Sequence, residues 1–355
     1  MVYNFNAGPS ILPKEVFEAA AAAVLNYNNS GLSILEYGHR TPAFEAIMQE
    51  ARQLMKELMN LDNDHEVLFL HGGASTHFMQ VPMNLLDIKD TAAFTDTGVW
   101  AAKAINEAKL FGKAEIVCSS KEKNYTYLPK DFAVPNDAKY LHITTNNTIY
   151  GTQWQKIPIT SNSIVADMSS DILSRELNFN AFDLIYAGAQ KNIGAAGVTI
   201  VVVNKNILGK IKRYIPTMMD YRNHIADGSM LNTPPVFAVY TCMLTLRWLK
   251  KQGGVKEIEK INNQKAEMLY AEIDRNSLFK GTVQKEDRSK MNVTFVMNDP
   301  TKEASFLQFA TQKNIMGIKG HRSVGGFRAS LYNAMPLSSV AYLVSLMQEF
   351  ESINN

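Results

Sequence analysis

The sequence predicts an α/β fold: a large unit built on a mostly parallel sheet with helices on both faces, followed by a small α+β unit. Three observations predict it. Short apolar runs rich in β-branched residues recur between residues 65 and 205, and at four to eight residues each they have the length of buried strands. Segments of helical period separate several of them, and the order strand, helix, strand favours parallel pairing. Beyond residue 256 this alternation gives way to one long helical pattern and then to a sparser mixture of strands and helices.

Taken in order, the strand signals are Val67–Leu70, Ala92–Thr95, Leu141–Thr144, Ile164–Ala166, Leu184–Ala187 and Val198–Val203, with helical periods over Phe44–Met59 and Val99–Phe111 between them. Helices are then expected over Thr241–Gln252 and Lys256–Arg275, the second long enough to leave one unit and enter another. A strand at Asn292–Met297, a helix near Lys302–Gln312, a strand at Phe327–Leu331 and a closing helix over Leu337–Phe350 complete the smaller unit. No repeat, low-complexity tract or long Pro/Gly/Ser linker separates the parts, so the two units are expected to lie against each other.

Bulk properties exclude several classes. A length of 355 residues favours one large and one smaller unit, and 46% hydrophobic with 20% charged residues is ordinary globular composition. Lysine and arginine total 36 against 34 acidic residues, a formal charge of +2 with no basic run, which disfavours nucleic-acid binding. Cys118 and Cys242 have no CxxC or CxxH spacing, so neither structural zinc nor a disulfide framework is expected, and a reducing cytoplasm fits. The first twenty residues lack a basic region followed by an apolar one, and the apolar run Ala19–Leu25 is far below membrane-spanning length. A soluble cytoplasmic protein with no metal is the expectation.

In open parallel sheets the ligand crevice lies beyond the carboxyl ends of the strands, so residues just after each strand are the candidates. Ile185-Tyr186-Ala187-Gly188-Ala189-Gln190-Lys191-Asn192-Ile193-Gly194 runs from a strand into small residues around one lysine. Schiff-base chemistry needs that room for a planar aldehyde, and partial desolvation lowers the amine's pKa toward reactivity. An ordinary loop lysine is the alternative. Asp167 ends the strand Ile164–Ala166 and suits a pyridinium partner, although Ser169 and Ser170 also suit a helix N-cap there. His71-Gly72-Gly73-Ala74-Ser75-Thr76 reads as a phosphate cup before a helix, in a chain with neither GxGxxG nor GxxxxGK[ST]. Trp100, after another strand, is open to a stacking role or to a place in the core. His39-Arg40, His321-Arg322 and Arg328 concentrate groups suited to phosphate and carboxylate, though each singly also reads as a solvated charge.

Four separated segments carry a family resemblance: Asn4-Phe5-Asn6-Ala7-Gly8-Pro9-Ser10, Tyr186–Gly194, Asn232-Thr233-Pro234-Pro235 and Lys319–Ser330. In this order they resemble the phosphoserine aminotransferases, pyridoxal-phosphate enzymes of aspartate-aminotransferase-like fold type I. The resemblance covers essentially the whole chain. It implies a seven-stranded sheet in a large cofactor-binding domain (16–255) and a small C-terminal domain (256–355), joined by the N-terminal segment 1–15. It implies Lys191 as Schiff-base lysine, Asp167 on the pyridine nitrogen, Trp100 stacked on the ring, Thr148 at the ring hydroxyl, and Ala74, Ser75 and Gln190 on the phosphate side. Asn232 and Thr233 would reach the phosphate from the neighbouring subunit of a homodimer with composite sites, and His39, Arg40, His321, Arg322 and Arg328 would bind substrate. The implied reaction is amino transfer between L-glutamate and 3-phosphohydroxypyruvate in serine biosynthesis, with the phosphorylated hydroxythreonine of pyridoxine synthesis as a further substrate to consider. Two positions depart from the family pattern: Ser75, where some relatives carry arginine, and His77, where glutamine is usual. Alanine–glyoxylate aminotransferase and cysteine desulfurase are rivals of the same fold type, and a cofactor-free binding protein is a rival of another class.

Overall fold

The structure of the chain is a computed structural model that describes residues 2–354. Seven strands form the large sheet, in the spatial order His65–Leu70, Thr199–Asn204, Leu184–Gly188, Ser163–Asp167, Tyr140–Thr144, Thr91–Asp96 and Lys113–Ser119. Thr199–Asn204 runs antiparallel to both its neighbours, and every other pair is parallel. The strands alternate strictly between two apolar layers. Val67, Phe69, Leu141, Ile143, Ile185 and Val202 join one cluster, while Leu68, Leu70, Tyr140, Val165, Tyr186 and Val201 join the other. Burial on both faces is why these strands read as continuous apolar runs rather than as alternating ones.

Each layer is closed by helices. Pro42–Met59 starts with proline in its first turn, ends at Asn60 in the left-handed conformation, and buries Phe44, Ile47, Met48, Ala51, Leu54 and Met55, a stripe at helical spacing. It and Val236–Lys251 cover one face, while Gly73–Leu85 and Val99–Ala108 cover the other.

The sequence missed the edge strand Lys113–Ser119, whose residues are exposed or half-buried and include Lys113 and Glu115. With one solvated side it has no apolar run to read. The helix expected to reach Phe111 ends at Ala108, because the chain must turn at Gly112, where a Cβ would sit 2.8 Å from the Asp90 carbonyl oxygen. Leu331 falls just outside the strand Phe327–Ser330.

The C-terminal part has a three-stranded antiparallel sheet, Phe327–Ser330, Asn292–Met297 and Phe279–Gly281, backed by Glu303–Gln312 and Leu337–Asn354. Its core gathers Phe279, Phe295, Phe306, Phe327 and Phe350. The helix Gly254–Arg275 belongs to both cores, with Val255 and Ile258 in the first and Ala266, Leu269 and Ile273 in the second. Tyr3–Asn4 pairs in parallel with Ile315–Met316, and the chain then crosses to the large sheet, where Ser10 N donates to Gln190 O at 3.0 Å.

Candidate active site

Leu70, Asp96, Thr144, Asp167 and Gly188 all end strands at one edge of the sheet, and a cavity of about 380 Å³ opens beyond them. That volume suits a small cofactor. Ala74, Ser75, Trp100, Thr148, Asp167, Gln190, Lys191, His321 and Arg328 all line it.

Lys191 follows the tight turn after Leu184–Gly188, held by Ile193 N to Ala189 O at 3.1 Å. Its neighbours must be small: a Cβ on Gly194 would lie 2.7 Å from Cys242 Sγ. Lys191 Nζ donates to Thr148 Oγ1 at 2.9 Å, and Ser10 Oγ donates to Lys191 O at 2.7 Å. Burial pushes the amine's pKa down to about 8, assisted by Arg328 and opposed by Asp167. A measurable fraction of the amine is therefore neutral near physiological pH.

Asp167 is 5% exposed. Its Oδ1 accepts from Ser169 N at 2.9 Å, so it does cap a local turn, yet the following residues form turns rather than a helix. Burial raises its pKa, while the Ser169 hydrogen bonds and Lys191 pull it down. A buried carboxyl without a bonded cation at the foot of the cavity suits a protonated ring nitrogen.

The glycine turn behaves as a cup. Gly72 has φ 95° and Gly73 φ 68°, and a Cβ on Gly72 would fall 2.1 Å from Thr76 Oγ1. Among the described residues no side chain caps the helix Gly73–Leu85, and Gly73, Ala74 and Ser75 line the cavity, which puts the positive dipole end of the helix beside it for an anion. Phosphate fits there, and the donors needed are backbone groups that Ser75 leaves untouched.

Trp100 stands at the start of Val99–Ala108, with Lys103 Nζ 4.5 Å from its ring centroid. Gln190 folds back on the strand, its Oε1 2.5 Å from where a Gly188 Cβ would be. Arg328 Nη1 donates to Thr148 O at 3.3 Å, and its Nε is buried without a partner among the described residues. Burial, then Arg328, Arg322 and Lys103, lower the pKa of His321, which marks a cationic mouth.

Other expected residues stand apart from this cavity. Arg322 and Arg40 are exposed, and His39 is half-buried with Nε2 unpartnered. Asn232 and Thr233 also lie outside the lining, although His71 Nε2 donates to Thr233 O at 2.9 Å and so ties that segment to the cup. His77, the second departure, points into the core: it stacks between Tyr186 and Tyr221, its Nδ1 is 2.8 Å from Tyr221 Oη, and burial pushes its pKa down to about 3. It is a neutral core ring. Sequence reasoning did not assign roles to Ala7, Gly8, Asn146, Ser169 or Ser170, which also line the cavity. The first two lay within a recognised motif, and the others follow strands, which was the available signal.

The chain is similar to known proteins over its full length. The Aminotransferase class-V family profile matches residues 2–343. The phosphoserine aminotransferase of Flavobacterium johnsoniae is 58% identical over 351 residues, covering 99% of both chains, and that of Bacteroides thetaiotaomicron is 56% identical over 354 residues, again covering 99% of both. Among solved structures, the phosphoserine aminotransferase of Bacillus circulans subsp. alkalophilus superposes with a TM-score of 0.97 at 42% identity, covering 100% of this chain and 99% of that one. The pyridoxal-phosphate-bound phosphoserine aminotransferase of Trichomonas vaginalis gives 0.93 at 35% identity, covering 98% and 100%. An alanine–glyoxylate aminotransferase from Nostoc, at 16% identity and a TM-score of 0.76, shares the fold alone. The chain thus belongs to the class-V aminotransferases, within the phosphoserine aminotransferases.

Proposed function

We propose that this site transfers the amino group of L-glutamate to 3-phosphohydroxypyruvate, giving O-phospho-L-serine and 2-oxoglutarate for serine biosynthesis. The observation that carries the reading is the facing pair in one cavity: a half-buried amine, Lys191, with a depressed pKa, and a buried carboxyl, Asp167, beside an uncapped helix terminus. Full-length similarity to phosphoserine aminotransferases supports the substrate assignment.

Pyridoxal phosphate, when bound, supplies an electron-accepting ring through which an amino group and an α-proton are exchanged. Lys191 would hold it covalently through Nζ, and the same amine would serve as general base for the substrate's α-proton. Among the described lining residues it is the only lysine. Asp167 would keep the ring nitrogen protonated, Trp100 would stack on the ring, and Thr148 would stand at the ring hydroxyl. Ala74 and Ser75 would hold the phosphate through the cup, with Gln190 beside them. His321, Arg322 and Arg328 hold the substrate's anionic groups at the mouth. His39, Arg40, Asn232 and Thr233, which lie outside one chain's cavity, complete the site of a second copy in a homodimer. We read the chain as a cytoplasmic enzyme with a large unit 16–255 and a small unit 256–355, joined by the segment 1–15. The phosphorylated hydroxythreonine of pyridoxine synthesis is a further candidate substrate.

A coupled assay with competing keto acids tests the assignment. Phosphohydroxypyruvate should be strongly preferred to pyruvate and glyoxylate; equal turnover of either would overturn the specificity.

A further inference from the structure

Beyond the paired strands Ser163–Asp167 and Leu184–Gly188 the chain makes two turns, one following Asp167 and one carrying Lys191. The first is tight: Met168 N donates to Tyr186 O at 3.0 Å and Ile172 N to Met168 O at 2.9 Å, which fixes the Ile172 carbonyl relative to Asp167. The second is closed by Gly194 N donating to Ala189 O at 2.8 Å. Ser169 Oγ, which accepts from Gly188 N at 3.3 Å, links the two segments, and so does the side chain of Asn192. Its Nδ2 donates to Ile172 O at 2.9 Å, with Met291 Sδ 3.9 Å away, and its Oδ1 accepts from Asn333 N at 3.0 Å.

Asn192 is one of three asparagines that hold the first turn. The carbonyls of Ile172, Leu173 and Ser174 accept in succession from the side-chain amides of Asn192 at 2.9 Å, Asn333 at 2.9 Å and Asn262 at 2.8 Å, and Asn262 Nδ2 also donates to Asn333 Oδ1 at 2.9 Å. All of these residues are buried. Among them Leu173 holds φ 56°, a left-handed backbone that is costly for a residue with a bulky side chain and persists only where its surroundings dictate it. The orientation of the Asn192 amide is forced. A backbone N–H only donates and a carbonyl only accepts, so Oδ1 must face Asn333 and Nδ2 must face Ile172.

We propose that Asn192 is a positioning residue whose side-chain amide sets the Lys191 turn against the turn that follows Asp167, so that Nζ and the Asp167 carboxyl address one bound ring together. Asn192 does not line the cavity, so it acts through Lys191. Without the amide two buried backbone groups, Ile172 O and Asn333 N, lose their partner, and the Lys191 turn is free to shift by an amount that a bond-forming amine does not tolerate. The cup and Trp100 stand on other elements, Gly73–Leu85 and Val99–Ala108, and keep their places.

The inference rests on the role given to Lys191 above, and the test separates the two. Full-length enzyme is loaded either with pyridoxal phosphate or with pyridoxamine phosphate, and release after dilution is timed by absorbance. Both offer the same ring and phosphate, but only the aldehyde condenses with Nζ, forming a C=N bond and releasing one water. The unaltered enzyme should therefore hold the aldehyde form longer, and Lys191→Ala should abolish that difference; a difference that survives there refutes the role of Lys191. In Asn192→Ala the aldehyde form should leave about tenfold faster and the amine form within about twofold of its unaltered rate, with kcat about tenfold lower and KM for glutamate within about twofold. Acceleration of both forms alike would show a merely structural residue, and unchanged release of the aldehyde form would show an idle one; either overturns the Asn192 inference while leaving Lys191 its role. Should Asn192→Ala not fold, Asn192→Ser, whose hydroxyl can serve one of the two backbone groups but is too short to bridge them, must show the same selective loss, and its absence there is equally fatal.

Discussion

Replacing Asp167 by Asn isolates the carboxylate's charge from its structural duty. The amide oxygen can still accept from Ser169 N, which Asp167 Oδ1 does at 2.9 Å, so the turn after the strand Ser163–Asp167 should persist. What is lost is an anion at the buried foot of the cavity. Across an ion-pair distance of about 4 Å and an effective dielectric near 20, that charge is worth about 4 kcal/mol to a protonated ring nitrogen. Each 1.36 kcal/mol is roughly a factor of ten in rate, and some of the field survives through hydrogen bonding, so kcat should fall about 10²- to 10³-fold. The cup does not depend on Asp167, and Lys191 loses only the charge that opposes its lowered pKa, so cofactor should remain bound. Single-turnover rates for the glutamate and keto-acid half-reactions, with cofactor occupancy read from absorbance, make the measurement. Turnover within about threefold of the unaltered enzyme at full occupancy would refute the assigned role, and loss of cofactor with an otherwise unchanged rate constant would show that the carboxylate serves binding instead.

Two other outcomes are expected. Lys265 is fully buried, with Nζ bonded only to Leu331 O at 2.9 Å and Tyr332 O at 2.8 Å among the described residues, and burial pushes its pKa down to about 7. Because the unfolded chain binds this proton up to about pH 10.4 and the folded one does not, stability contributed by this site rises with pH between about 7 and 10. Lys265→Met should flatten that rise in chemical denaturation at several pH values, and an unchanged slope would contradict it. Separately, mixing Lys191→Ala with Arg40→Ala under subunit exchange should restore part of the activity if Arg40 acts across a two-fold interface, since one of the two sites then carries neither lesion; no recovery despite verified exchange would place Arg40 elsewhere.

How much could be read from the sequence follows from where the physical signal is local. The central strands announce themselves because both their faces are buried, and Lys191 because its small neighbours Gly188 and Gly194 are required by the close approach of Gln190 and Cys242. Asp167 and Trp100 were legible through a rule of position, since strand ends in a parallel sheet meet one crevice, whereas Thr148 came only from the family resemblance. Features that depend on contacts between distant segments were not legible. Nothing local to Ala7 says that its carbonyl will receive a phenol hydrogen from a residue 325 positions away, and nothing local to His77 distinguishes a cavity side chain from a core ring between two tyrosines. Ser75 is the instructive intermediate. Its departure from some relatives bears on side-chain contacts alone, since a cup built from the first N–H groups of Gly73–Leu85 would depend on backbone direction, which Gly72 and Gly73 fix through their positive φ. A side chain could vary there if the turn carries the recognition, as proposed.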